Sequence, residues 1–541
     1  MSNIDRLVLL SSSRWLYRPG LFILLIILAA PLTIDVVPPL LDYPIHLARS
    51  YITLEYPNDP LLREIFTIDW RPIPNLASDI ILFFLGRFFE IETAGRLLIG
   101  FCISLTFLSV IFLHRVNFGY WGWWPLLAVI PAYHGALTAG FINYSIGIAL
   151  IPAFLAIAKL LNQQKLICRI IAHSIFALIL FFCHVISVGL FGIFLLSYEC
   201  WNIIKNKLIS PRTLTYGALT LILPFIWPAI LYIKYSLSKI IERETPTIIG
   251  IWDFDARLRG VLMPFISGNY LLDFIAFFLF ISIFGYLIYY KSLAFCHDYS
   301  IGTIIVFMLF LVVPGHMLDA AFISDRLPIA IVLVGIASTN PQRIKKEHAA
   351  FFAALVLSVT MTRASSMTMS WMESSRYYLR LNEAVEIIER GASVMILSPM
   401  TELRDMGLGF WHGIRMNSPN WHFSLLNIPA LHSYAVIPLT KQAVFSQLHF
   451  VWADKQILSL KEPYSTLNYG DGGDSTWDPT IILKQSHKDG LAMSNRERFD
   501  YFLVVYADRL SRKLRREIES QSPIYVDEEF ILLRAPAPTP R

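Results

Sequence analysis

The stretch Leu21 to Leu41, LFILLIILAAPLTIDVVPPLL, carries a single charged residue, Asp35. A helix needs roughly 20 mainly apolar residues to cross a hydrocarbon core about 30 Å thick, so this stretch reads as a membrane span. Arg6, Arg14 and Arg18 precede it, as basic residues precede the apolar run of a signal peptide. No clear A-x-A cleavage site follows, and an uncleaved first span is expected. The whole composition agrees: 55% of the 541 residues are hydrophobic, 16% are charged, and mean hydropathy is +0.55. A single water-soluble core has no use for that much apolar surface.

Outward from the first span, apolar stretches recur at Leu97 to His114, Leu214 to Tyr235, Tyr270 to Tyr290, Ile301 to Met317, Leu327 to Ala337 with its flanks, and Ala349 to Thr362. The run from Leu166 to Trp201 is too long for one bilayer crossing, and two spans meeting near His184 are expected. Trp121 to Ala158 is likewise expected to hold two spans, broken by Pro131, Gly135 and Gly140. The reading is a polytopic α-helical membrane protein with about 11 transmembrane helices and a C-terminal soluble α/β domain. Residues 1–363 form the transmembrane domain, with outer loop 42–96 bearing membrane-lying segments, and residues 364–541 form the extracytoplasmic domain.

Short loops rich in Lys and Arg stay in the cytoplasm. With an inner N-terminus, Arg115, then Lys159 with Lys165 and Arg169, then Lys205 with Lys207 and Arg212, then Lys291, and finally Arg343 with Lys345 and Lys346 all fall inside. This holds provided that Ile80 to Phe89, short and interrupted by Arg87, lies on or dips into the membrane without crossing it. The net charge of +5 is then a matter of topology, and no nucleic-acid partner is implied. Cys102, Cys168, Cys183, Cys200 and Cys296 all lie in the apolar part without zinc-ligand spacing.

Ionisable groups are costly in a bilayer, and under this topology the unusual ones share the outer face. Asp42, His46 and Arg49 follow the first span in LLDYPIHLARSY, and Asp69 and Arg71 stand in FTIDWRPIPN. His134, Asn143 and His184 sit at span ends. Asp253, Asp255, Arg257 and Arg259 lie in the loop IWDFDARLRG, and His316, Asp319, Asp325 and Arg326 occupy PGHMLDAAFISDRLP. Each has an ordinary reading too, because a His or Asn at a span end commonly bonds to water or backbone. Asp253 and Asp255 also read as solvated charges, and Asp325 with Arg326 as a local ion pair.

The chain has no GxxxxGK[ST] loop and no dinucleotide fingerprint after a strand, which argues against a nucleotide-driven reaction. A transferase on the outer face would take its sugar from a lipid-linked carrier. Asp42 or Asp69 would remove the acceptor's proton, while Arg71, Arg257, Arg259 or Arg326, or a divalent metal ion, would hold the donor phosphate. A first span ending in an acidic residue, a long outer loop, many further spans and a terminal outer domain resemble the GT-C fold of integral-membrane glycosyltransferases. The strings LLDYPIHLAR and FTIDWRPIPN carry that resemblance. It implies a polyprenyl-phosphate-linked sugar as donor, Asp42 first and Asp69 second as catalytic residues, and a glycan, lipid or protein acceptor. It also implies an inner-membrane location with a cytoplasmic N-terminus and a periplasmic C-terminal domain. A transporter, or a non-catalytic envelope-assembly or lipid-binding protein, is the alternative.

Beyond about Ser366 a soluble pattern appears. Tyr377 to Arg390 reads as an amphipathic helix stopped by Gly391, Ser393 to Leu397 and Phe499 to Tyr506 as strands, and Ile524 to Leu533 as a hairpin around the acidic turn DEE. The loop NYGDGGDSTWD, with Asp471, Asp474 and Asp478, reads as an acidic turn or a calcium site without EF-hand spacing. Trp411, His412, Trp421 and His422 read as packing aromatics or sugar-stacking ones.

Overall fold

The computed structural model describes residues 19–33, 36–206, 210–242, 254–315, 322–342, 344–397, 434–446, 456–467 and 499–535. The chain divides into two compact units, one of residues 1–34, 72–78 and 97–369, the other of residues 35–71, 79–96 and 370–541.

The first unit is helical. Among the described residues seven helices are long and apolar enough to cross a membrane: Ile91–Phe118, Ile142–Gln163, Leu166–Cys183, Val185–Lys205, Pro211–Ser236, Tyr270–Tyr289 and Lys346–Glu386. Pro19–Thr33 and His297–Val312 are apolar but shorter. The outward faces fit lipid and not water. In Leu166–Cys183 the side chains of Ile167, Ile171, Ile175 and Ile179, four apart and so on one helical face, are 58%, 53%, 52% and 40% exposed. Such a continuous apolar stripe is tolerated where hydrocarbon covers it. The break near His184 falls where the sequence puts it, between Leu166–Cys183 and Val185–Asn206.

Trp121 to Ala158 departs from the two-helix expectation. It holds one long helix, Ile142–Leu160, preceded by a 3-10 turn, Trp124–Val129, and a four-residue helix, Gly135–Thr138. Lys159 Nζ donates to Asn117 Oδ1 at 2.9 Å, so the C-terminal ends of Ile91–Phe118 and Ile142–Leu160 lie side by side and the two helices run the same way. The residues between them therefore return along the length of the bundle with little helix. Non-helical backbone survives at membrane depth when protein surrounds it, and from Trp124 to Gly140 every residue except Leu126 is buried.

One end of the unit gathers the basic loops. Lys159 pairs with Asp298 at 2.5 Å, Arg169 pairs with Glu199, and Leu293–Phe295 pairs antiparallel with Thr339–Pro341. Arg115, Lys165, Lys291 and Lys345 lie within a few residues of these contacts. At the opposite end Arg363 fastens the non-helical return. Its Nη1 donates to Ile130 O at 2.9 Å, its Nη2 to Phe265 O at 2.6 Å and its Nε to Ser267 Oγ at 3.1 Å, while Asp273 Oδ1 stands 3.5 Å from Nη2.

The second unit is built on a five-stranded mixed sheet. Its order is Phe445–Ser446, Ser393–Leu397, Tyr501–Val505, Phe530–Arg534, Tyr525–Val526, with the first two pairings parallel and the last two antiparallel. The central strands Ser393–Leu397 and Tyr501–Val505 are buried throughout, as strands covered on both faces must be. Gly391, at φ +81°, turns the chain into the first of them.

Two expectations change here. The membrane span Ala349 to Thr362 and the amphipathic helix from Tyr377 are one continuous helix, Lys346–Glu386, about 60 Å long at 1.5 Å per residue. Most of loop 42–96, assigned by sequence to the membrane domain, packs with the C-terminal sheet. Phe66–Ile68 pairs antiparallel with Leu458–Leu460, and Ile52, Leu62, Ile65 and Phe66 share a core with Met395, Leu397, Phe445, Phe502, Val504 and Ile531. Apolar burial supplies the reason, since these side chains complete a core that the strands alone leave open. Within the loop, Ala77–Leu85 is a nine-residue helix, about 13 Å long and too short to cross a bilayer.

Removing one member of a buried ion pair strands the other and costs roughly 3–5 kcal/mol. Arg363→Met is therefore expected to lower the melting temperature of the detergent-solubilised protein sharply, and adding Asp273→Leu not to restore it, because Ile130 O and Phe265 O still lack their donor and Ser267 N–H loses its acceptor. Equal melting of wild type and Arg363→Met would refute the stapling role.

Candidate functional site

The sequence-derived site residues fall in both units. In the first, His184 ends Leu166–Cys183 with an extended backbone, and its Nδ1 accepts from Ile186 N–H at 3.1 Å, starting the next helix. Its Nε2 lies 2.9 Å from Arg326 Nη1. A neutral imidazole has one acceptor nitrogen, and here both ring nitrogens face donors, so one of the two contacts falls short of a full hydrogen bond. The Arg326 guanidinium lies 4.0 Å above the Phe141 ring and 5.5 Å from the Tyr144 ring, and Tyr144 Oη donates to Arg326 O at 2.8 Å.

Next to it, Arg259 Nε donates to the fully buried Asp325 Oδ2 at 2.5 Å, and Ser324 Oγ donates to Oδ1 at 3.1 Å. Arg259 also stands 4.9 Å over Phe322. Arg257, two residues earlier on Phe254–Leu262, a helix where the sequence reads as a loop, donates from Nη2 to Val313 O at 2.5 Å and lies 5.5 Å over Phe310. Gly260 permits this approach, since a Cβ there would stand 2.6 Å from Phe310 Cε2 and 3.3 Å from Asp325 Cα. The structure thus joins His184 to Arg326 and Arg259 to Asp325. Three guanidiniums are each held against an aromatic ring, which fixes forks suited to bidentate phosphate binding.

His134 and Asn143 are engaged in building the fold. His134 is buried and its Nδ1 accepts from Leu137 N–H at 3.2 Å, capping Gly135–Thr138. Asn143 Oδ1 accepts from Ser78 N–H at 2.7 Å, and its Nδ2 donates to Asn75 O at 2.9 Å and to Ser78 Oγ at 2.8 Å.

In the second unit, Arg49 makes a two-pronged pair with Asp79, Nε to Oδ1 at 2.5 Å and Nη2 to Oδ2 at 3.0 Å, both side chains nearly inaccessible to solvent. The same Nη2 lies 2.8 Å from His46 Nδ1. That contact makes Nδ1 the acceptor and leaves the proton of the neutral ring on Nε2. Burial first, and the Arg49 charge second, hold the His46 pKa well below its ordinary value. Asp42 sits one turn earlier at the start of Tyr43–Glu55, half-buried, and its carboxylate does not cap the helix. Asp69 and Arg71 form a looser pair, 3.9 Å apart with the Asp69 side chain 72% exposed.

Asp79 and Glu92 escape the sequence reading. Asp79 is the one charged side chain between Leu76 and Leu85, which is the signal that points to a buried partner. Glu92, buried at the start of Ile91–Phe118, accepts from Tyr378 Oη at 3.1 Å and from Lys441 Nζ. Among the described residues no group of three or more His, Cys, Asp or Glu side chains stands together as a metal site. His316, Asp319, Asp253, Asp471, Asp474, Asp478, Trp411, His412, Trp421 and His422 lie outside the described residues, as does the side chain of Asp255. Comparison of the chain with protein-family models, with curated proteins and with solved structures finds no match.

The His46 environment sets a pH dependence. The unfolded chain takes up a proton on this imidazole as pH falls below 6.5, while the folded form, with its lowered pKa, resists. Its share of stability is complete above pH 6.5 and is lost as pH drops toward the folded value. His46→Gln is expected to flatten the acid side of the melting-temperature profile relative to wild type. Superimposable profiles would show that His46 is not the group responsible.

Proposed function

We propose that this integral membrane protein is a glycosyltransferase that moves a sugar from a polyprenyl-phosphate-linked donor to a glycan, lipid or protein acceptor on the extracytoplasmic face. The observation that carries the reading is the gathering of Arg257, Arg259 and Arg326, with His184, at the end of the helical unit away from the basic loops. Guanidiniums fixed on aromatic rings in low-dielectric surroundings hold a donor phosphate strongly and need little rearrangement as charge develops on it. Phosphate is also the leaving group in this transfer, so the same arginines favour the step in which its charge grows.

On this reading Asp42, at the start of Tyr43–Glu55, takes the proton of the acceptor hydroxyl. The pair of Arg49 with Asp79 positions the helix that carries Asp42. Counting the seven long apolar helices, the shorter Pro19–Thr33, His297–Val312 and Ile323–Ala337, and the return through Trp124 to Gly140 as one more, this reading has eleven crossings. With the basic loops cytoplasmic, the C-terminal unit then faces the periplasm of a bacterial inner membrane.

Transfer from a polyprenyl-phosphate-linked sugar by the purified protein tests this. Losing a charge-assisted hydrogen bond costs roughly 1.5–3 kcal/mol, so Arg326→Ala should raise KM for the donor about 10- to 100-fold. Asp42→Asn should lower kcat by about 10²- to 10⁴-fold with melting unchanged, as expected for a general base. Full turnover in a well-folded Asp42→Asn protein would remove that residue from catalysis. Absence of transfer from every lipid-linked sugar offered would defeat the proposal.

A further inference from the structure

At the basic end of the helical unit, a cavity of about 380 Å³ lies among Tyr270–Tyr289, Ser300–Val312, Ile323–Ala337 and the paired strands Leu293–Phe295 and Thr339–Pro341. Its volume falls in the range of small-ligand sites, about 300–1,000 Å³. The wall is mainly apolar, with Phe284, Phe295, Ile304 and Gly335 among its residues. Phe295 and Ile304 are 53% and 59% exposed, so the cavity opens sideways through the lipid-facing surface. No atom lies within 4 Å of a Cβ placed on Gly335, so the helix face there is open where a side chain would stand.

The flanks of the hairpin carry the complementary charge. Exposed Lys291 comes two residues before Leu293–Phe295, and exposed Lys345 and Lys346 follow Thr339–Pro341, with Glu347 the acid beside them. Lys159, near the same hairpin, is already bound to Asp298. An apolar slot open to the bilayer, lined by a hairpin whose flanks carry solvated ammonium groups, has the two-part chemistry of an anionic amphiphile.

From this we infer that the cavity is a binding site for an anionic phospholipid, its acyl chain in the slot and its headgroup against Lys291, Lys345 and Lys346. The site stands apart from the arginine cluster, at the other end of the unit, and holds whether or not the protein transfers sugars.

The test compares melting of the detergent-purified full chain with phosphatidylglycerol, phosphatidylcholine of the same acyl chains, or a polyprenyl phosphate, and weighs the protein with its retained lipid by native mass spectrometry. The expected result is a rise of several degrees with phosphatidylglycerol alone, as a ligand of the folded state produces, and one phosphatidylglycerol retained. Gly335→Leu, which fills the slot, should abolish both. The Lys291→Gln, Lys345→Gln, Lys346→Gln triple variant, which leaves the slot intact, should abolish the preference over phosphatidylcholine. Equal rises with the two phospholipids in wild type, a rise with polyprenyl phosphate only, or an undiminished effect in both variants would overturn the assignment.

Discussion

Hydrocarbon offers no hydrogen bonds, so each backbone or charged group that enters it must bring its partner from the protein. The segment from Trp121 to Phe141 shows what this demands. It returns through the helical unit with only a 3-10 turn and four residues of helix, and so leaves backbone groups that helices would have satisfied internally. Neighbouring elements answer them. Gly135 N–H donates to Met263 O and Arg363 takes Ile130 O, while the return's own Tyr133 Oη donates to Leu28 O of the first helix. The non-helical return and the buried Arg363 are thus two sides of one solution.

The same constraint organises the charges. Lys159 meets Asp298 across 139 positions of sequence, Arg259 meets Asp325 across 66, and Arg169 meets Glu199 across 30. These pairs are weak evidence for net stability, since desolvation offsets much of the attraction. Their stronger consequence is register. A helix displaced by one turn would leave a buried charge without its partner, so each pair selects one packing of the helices that bear it.

Such pairings also mark where sequence reading succeeds and stops. The long helices of the membrane unit and the strands Ser393–Leu397, Tyr501–Val505 and Phe530–Arg534 were legible because each is long or apolar enough to declare its own period, whereas the short polar helix Phe254–Leu262 read as a loop and Trp121 to Ala158 as two spans. The break at His184 was legible because an unbroken run there overshoots the bilayer. Phe66–Ile68 was not, because a three-residue strand has no period of its own and its partner lies 392 positions on. For the same reason the union of the first loop with the C-terminal sheet was hidden, and Asp79, whose partner Arg49 lies 30 positions away, went unremarked. Of the candidate site, the strings that hold His184, Arg259, Asp325 and Arg326 stood out by polarity, while the rings of Phe141, Tyr144, Phe310 and Phe322 that fix the arginines looked like any other membrane aromatics.

The exposed lysines and the buried, ring- or carbonyl-bound arginines of the helical unit gather at opposite ends, although Arg115 and Arg169 stand with the lysines. Lys165, Lys205, Lys291, Lys345 and Lys346 are exposed at one end, where a strongly hydrated ammonium on a flexible stem remains in solvent and anchors orientation. Arg257, Arg326 and Arg363 are buried at the other, each with carbonyl, imidazole or ring partners disposed around a planar fork. A more weakly hydrated guanidinium costs less to bury and gains more from fixed geometry. Exchanging the two types would therefore damage both ends, leaving immobile charge where solvation is needed and mobile charge where position is. That asymmetry supports reading the lysine end as the membrane-orienting face and the arginine end as the face where an anion's position matters to the chemistry.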